Sequence, residues 1–275
     1  MADRTTHGDE TRSEAHSKYL TYADYLALDE LLSLQRPRAG EHDEMLFIVI
    51  HQVYELWFKQ LLHELDHVAR LLADGALPPI LHTMKRILTI LKVLVAQLDI
   101  LETMTPLEFL TFRSRLEAAS GLESFQFREM EFVLGVKRTS VFERYPEGSE
   151  ARRRLERRYR EPTLWDAFLG YLASEGVEVP EAALDRDPTA EPEPSEGVQD
   201  VLVRVYREDP WIAQLCERLV DLDEGLQEWR YRHVKMVERT IGAKPGTGGT
   251  LGAAYLRSTL SEPVFPDLWA IRSRL

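Results

Sequence analysis

The feature that most constrains this chain of 275 residues is a hydrophobic period near 3.6, held over three long stretches. Residues 43–74, about 80–104 and 198–241 carry apolar side chains at steps of three and four. That spacing gives a helix one apolar face and leaves the other to water. The period of two that marks a half-buried strand is scarce throughout. The expected class is therefore all-α, a bundle-like helical domain. Local signals agree. "TYADYLALDELLSLQ" (21–35) reads as a short amphipathic helix that stops before Pro37, and "ADGALPP" closes the first long helix. In "TPLEFLTFRSRL" Thr105 sits as an N-cap, Pro106 at the first helical position and Glu108 at the third, so a further helix starts there. "ESFQFREMEFVLG" makes another, ending at Gly135. Residues 151–177 read as helical and highly charged. Their run "ARRRLERRYR" is taken as a solvated face with interleaved Glu rather than a basic patch.

Composition narrows the function. A net charge of −12 argues against a nucleic-acid surface, which would be basic. The single cysteine, Cys216, excludes an intramolecular disulfide framework, a Cys-rich zinc site and a c-type haem attachment. The polar start "MADRTTHGDETRSEAH" lacks a signal-peptide core, and the longest apolar stretch, Met45–Ile50, is far short of the roughly 20 residues that span a bilayer. A cytoplasmic protein with no membrane or nucleic-acid partner is expected. Residues 1–16 read as a disordered tail. Residues 17–275 read as one all-helical domain, with a surface region of low constraint at about 140–205 that includes the Pro/Glu segment "DRDPTAEPEPSEG" (185–197).

Four of the eight histidines bear on function. His63 and His67 fall in "HELDH", which fits the H-E-x-x-H pattern of zinc proteases. On a helical wheel at about 100° per residue, however, they project to the side that carries Gln52, Lys59, Gln60 and Arg70. No Gly and His continue the pattern at Arg70 and Ala73, and a third ligand is missing. The pattern is read as chance. His51 projects the other way, amid Phe47, Tyr54 and Phe58. It is either a satisfied core histidine or a working imidazole. His233 continues the stripe Leu215, Leu219, Leu222, Leu226, Trp229 of the last long helix, with Arg230, Arg232 and Arg239 nearby. A core histidine and an axial haem ligand with cations near the propionates both fit it. The segment "GTGGTLG" matches neither a dinucleotide fingerprint nor a Walker loop. It is either a ligand-closing loop or a plain linker.

Longer motifs decide more. "HDEMLFIVIHQVYELWFKQLLHEL", "TPLEFLTFR", "SGLESFQFREMEFVLG" and "WRYRHVKMVERTIGAKPGTGGTLGAAYLRSTL" followed by "FPDLW" together resemble the tryptophan 2,3-dioxygenase family, over most of the chain from Tyr19 to Trp269. The resemblance implies a homotetramer with one haem b per subunit. Such an enzyme uses O₂ as co-substrate and adds both atoms across the indole C2–C3 bond of L-tryptophan, giving N-formyl-L-kynurenine, the first step of the kynurenine pathway. It implies His233 as the axial iron ligand and His51 as the distal histidine near the indole N–H. Arg113 matches the partner of the substrate carboxylate, and Thr247 the residue near its ammonium. Phe47 and Phe109 match walls of the indole pocket; the family often has Tyr at the latter. Tyr22 and Tyr25 match residues reaching into a neighbouring subunit's site, so the helix 21–35 is expected to pack there. A haem oxygenase acting on a modified indole, and a non-catalytic haem or gas-sensing protein, are the rival readings.

Overall fold

Three long helices carry the computed structural model, which describes residues 19–117, 119–247 and 252–275. In chain order the helices are α1 (Tyr22–Leu26), α2 (Leu28–Leu32), α3 (His42–Ala73), α4 (Leu77–Leu101), α5 (Pro106–Arg113), α6 (Phe125–Val133) and α7 (Glu150–Arg160). They continue as α8 (Leu164–Ser174), α9 (Glu181–Leu184), α10 (Glu196–Glu208), α11 (Pro210–Ile241), α12 (Ala253–Ser258) and α13 (Pro266–Ala270). No strand occurs among the described residues, as the periodicity predicts. No helix among the described residues is long and apolar enough to cross a membrane. The disordered tail expected at 1–16 lies outside the described residues.

Helices α3 and α11, of 32 residues each and so about 48 Å long, both pack along α4. Their apolar stripes meet in one core containing Phe58, Leu65, Leu94, Leu98 and Leu219. Buried polar groups fix the register. Tyr54 on α3 donates its hydroxyl to the Leu94 carbonyl of α4 at 2.6 Å, and Gln97 on α4 donates back to the Ile50 carbonyl at 3.2 Å. A slip of either helix would strand both pairs in an apolar core, where an unmet polar group costs roughly 1–3 kcal/mol.

The boundaries differ from expectation where capping residues compete with periodicity. The segment 21–35 is two short turns, because Ala27 takes a left-handed conformation (φ 48°) between them. Neither turn buries a residue, so no packing energy enforces a continuous helix. Helix α4 starts three residues early: Pro78 and Pro79 lie in its first turn, where their missing N–H groups cost nothing. The stretch 151–177 splits at Pro162, and Thr163 starts α8 with a capping box to Asp166. The stretch from Val198 likewise splits where Asp209 caps α11 and Pro210 occupies its first position. The Thr105–Glu108 capping box of α5 is present as expected.

Two expectations need correction. The region 140–205 is not simply surface: Leu155, Phe168, Leu172 and Leu202 in it are fully buried, because α7, α8 and α10 have apolar stripes of their own. Nor is the arginine run a solvated face throughout: Arg153 and Arg157 are exposed and pair with Glu150 and Glu161 as expected, but its inward side joins helices. Arg154 pairs with the buried Glu129 of α6 at 2.8 Å, and Arg158 pairs with Asp66 of α3 at 2.5 Å. These ion pairs rivet α7 to α6 and α3. Burial pushes the Glu129 carboxyl above its ordinary range, and the two arginines oppose that shift.

The C-terminal segment is held by one carboxylate. Asp223 on α11 is fully buried and accepts from the backbone N–H groups of Val264 and Phe265, both at 3.0 Å, and from Trp269 Nε1 at 2.9 Å. Asp223→Ala leaves these donors unmet, and the expected loss is about 3 kcal/mol or more in denaturant unfolding. The exposed neighbour change Glu224→Ala should stay within about 0.5 kcal/mol. Equal losses in the two variants would contradict this role.

Candidate active site

A cavity of about 260 Å³ lies where α3, α5, α6 and α11 converge. Its walls are mostly apolar, supplied by Phe47, Phe58, Leu98, Phe109, Phe127 and Trp229. Ridge positions four apart explain the lining. Phe47, His51 and Glu55 follow one another on α3, Phe109 and Arg113 on α5, and Trp229, His233 and Val237 on α11.

Two imidazoles face this space. The His51 ring packs on Phe47 at 4.1 Å between centroids, and its Nδ1 lies 2.7 Å from the Phe47 carbonyl. A carbonyl only accepts, so Nδ1 carries the proton. Burial holds the ring below the ordinary histidine range, so it is neutral at pH 7 and Nε2 keeps its lone pair. His51 thus presents an acceptor. His233 stacks flat on Trp229, with centroids 5.1 Å apart and planes at 5°. Burial depresses it to about 4, and neither ring nitrogen has a hydrogen-bond partner among the described residues. A neutral imidazole with a free lone pair, held rigidly by an aromatic neighbour, is what a metal in an apolar slot needs.

Charged groups line one part of the cavity. Arg113 donates Nη2 to the Pro245 carbonyl at 2.5 Å and meets no carboxylate among the described residues, so it retains capacity for an anion. Arg128 and Glu131 form a buried ion pair on α6. Arg230 is buried as well and, among the described residues, reaches only carbonyl oxygens, those of Thr259 and Glu262. Thr247 also lines the cavity, on the segment after α11.

The cavity therefore gathers His51, His233, Phe47, Phe109, Arg113 and Thr247, all named from the sequence. Tyr22 and Tyr25 are absent from it, being 76% and 74% exposed on α1. Of the three arginines flanking His233, only Arg230 faces the cavity. Arg232 pairs with Asp99 of α4 and with Glu102 just after it, and Arg239 with Glu102, because both lie off the apolar stripe. Sequence reasoning passed over the Arg128–Glu131 pair and the Trp229 stack. Their signal was present: Trp229 stands four residues before His233, and Arg128 three before Glu131.

The zinc-protease pattern fails geometrically. His63 is exposed, while the intervening Glu64 is buried and takes both Arg86 Nη1, at 3.0 Å to each oxygen, and Gln60 at 2.6 Å. No three His, Cys, Asp or Glu side chains gather as a metal site among the described residues. The lining could instead hold a flat, apolar group that carries a metal taking one nitrogen ligand and that bears anionic substituents. An iron porphyrin has all three properties. His63→Ala and His67→Ala should leave bound metal and turnover within about twofold of wild type; a large loss in either would revive the zinc reading.

Sequence comparison adds an independent finding. The family model described as tryptophan 2,3-dioxygenase matches residues 6–179 and 195–275. A protein of that name from Herpetosiphon aurantiacus is 58% identical over 261 residues, covering 94% of this chain and 100% of the relative. One from Anaeromyxobacter dehalogenans is 58% identical over 265 residues, covering 96% and 100%. A more distant one, from Caulobacter vibrioides, is 46% identical over 260 residues, covering 93% and 98%.

Proposed function

The chain belongs to the tryptophan 2,3-dioxygenase family, and on that premise we propose how its residues serve the oxidation of L-tryptophan to N-formyl-L-kynurenine. The observation that supports the assignment best is that two neutral imidazoles and an arginine with no carboxylate partner among the described residues line one apolar cavity. The proposed cofactor is haem b, one per subunit, with His233 as its protein ligand. Haem, when bound, supplies the iron that binds O₂ and carries the redox chemistry.

The remaining work belongs to the chain. L-Tryptophan is a zwitterion on a flat indole, so it needs a fixed cation, an acceptor and two apolar walls. Arg113 takes the carboxylate, in the planar fork geometry that suits guanidinium. Thr247 lies near the ammonium and offers a hydroxyl acceptor. Phe47 and Phe109, 5.8 Å apart between centroids, wall the indole. Phe109 lacks the hydroxyl often found there in the family and gives up one polar contact. His51 accepts the indole N–H through Nε2, the atom that its bond to Phe47 leaves unprotonated. Positioning is the role that follows, since the indole is already electron-rich and needs no base to react. The apolar lining excludes water from the reacting carbons.

A homotetramer working in the cytoplasm completes the proposal. Tyr22 and Tyr25 are exposed on α1, as are Leu20 and Leu32 beside them. An apolar segment of this kind needs a surface to cover, and a neighbouring subunit's site is the natural one.

Two experiments test these assignments. Arg113→Leu should lower kcat/KM for tryptophan at least about 30-fold, mainly through KM. A buried carboxylate left unpaired costs roughly 2–5 kcal/mol. Tryptamine, which lacks the carboxylate, should be a poor substrate that the change hardly affects. Normal handling of tryptophan by the variant would make Arg113 structural. Deleting residues 1–35 should weaken oligomerisation and tryptophan binding together while haem stays bound. Light scattering combined with a tryptophan titration reads both, and a monomeric deletion with unchanged affinity would show that each site is built from one chain.

A further inference from the structure

Arg230 is a buried charge beside the cavity that the reaction as described does not use. It is 6% exposed and lies one turn before His233 on α11. Its Nη1 donates to the Thr259 carbonyl at 3.3 Å and the Glu262 carbonyl at 3.1 Å. Neutral oxygens do not balance a buried guanidinium. Three carboxylates are near enough to influence it electrostatically: Glu131, Asp223 and Glu262. Each is engaged elsewhere. Arg128 holds Glu131, two backbone N–H groups and Trp269 hold Asp223, and Arg138 holds Glu262. None comes within ion-pair distance of Arg230 among the described residues. Its Nε and Nη2 have no hydrogen-bond partner there either, and the open space beside the side chain is the cavity shared with His233.

We propose that Arg230 binds a carboxylate of the haem, one helical turn from the His233 that holds its iron. The proposal rests on the haem reading above and extends it to a second anchoring residue. The two anchors share one helix, so α11 would fix both the position of the macrocycle and its rotation in the plane. The carbonyls of Thr259 and Glu262 hold the guanidinium in place before the cofactor arrives, which reduces the side-chain entropy lost on binding. The other carboxylate in the cavity's chemistry is that of the substrate, which Arg113 serves. The test separates these two sources.

The full-length chain is loaded with haem or with haem dimethyl ester, whose two carboxylates are blocked, and release of each to excess apo-globin is followed by absorbance. A hydrogen-bonded charge pair implies that wild type releases the ester roughly tenfold faster or more. Arg230→Gln should release haem faster and lose most of that discrimination, with Arg230→Lys intermediate. Arg232→Gln, whose guanidinium is bound outside to Asp99 and Glu102, should keep the wild-type ratio. Equal release of the two porphyrins from wild type would overturn the proposal without any variant having to fold. So would an unchanged ratio in Arg230→Gln, which would leave the substrate as the only carboxylate for Arg230 to meet. A wild-type chain that holds neither porphyrin would remove the haem reading itself, and this inference with it.

Discussion

The packing of α3 and α11 on α4 is the constraint from which the site follows. Each of the three helices buries a continuous apolar stripe, and their register is fixed by Tyr54 and Gln97, whose polar atoms must find the Leu94 and Ile50 carbonyls inside the core. Stripe positions beyond the tightly packed region open into the cavity. That is how His51 and His233, from opposite ends of the sequence, come to face one space. An apolar stripe is costly ground for a titratable group, and burial answers the cost by keeping both imidazoles neutral. Neutrality is also what a metal ligand and an acceptor of an indole N–H require, so one cause prepares both.

Polar satisfaction then distinguishes structure from function. Glu64, Glu129 and Asp223 are buried carboxylates, and each is met by donors from another element; they join helices. Arg113 and Arg230 are different. Among the described residues each faces the cavity with carbonyl partners only, and each therefore has capacity for an anion that those residues do not supply. The two arginines mark where an amino-acid substrate and a porphyrin would present their carboxylates. Between them the walls are aromatic, as a flat indole and a flat macrocycle both need.

Much of this could be read from spacing alone. The helical class, the inward faces of His51 and His233, the outward face of His63 and the capping box at Thr105 all follow from period and local hydrogen bonding. Thr247, Tyr22 and Tyr25 entered only through the resemblance, because a Gly-rich segment has no period and two exposed tyrosines meet no partner among the described residues. Helix breaks at Ala27, Pro162 and Asp209 fall inside stretches read as continuous, because each depends on one residue's backbone conformation or capping side chain and not on the period. The destination of the α7 arginines was hidden for another reason. Arg154 and Arg158 meet Glu129 and Asp66, 25 and 92 residues away in sequence, and only tertiary packing brings them together.

The central claim is that His233 is the one protein bond to the iron of a haem in this cavity, and an absorption spectrum tests it most directly. Purified wild type, oxidised and then reduced with dithionite, should show the Soret band of a histidine-ligated haem. His233→Ala should lose most of that band when purified alongside, since no other side chain is assigned to the iron. Full haem retention by His233→Ala, with an unchanged ferrous spectrum, would contradict the account.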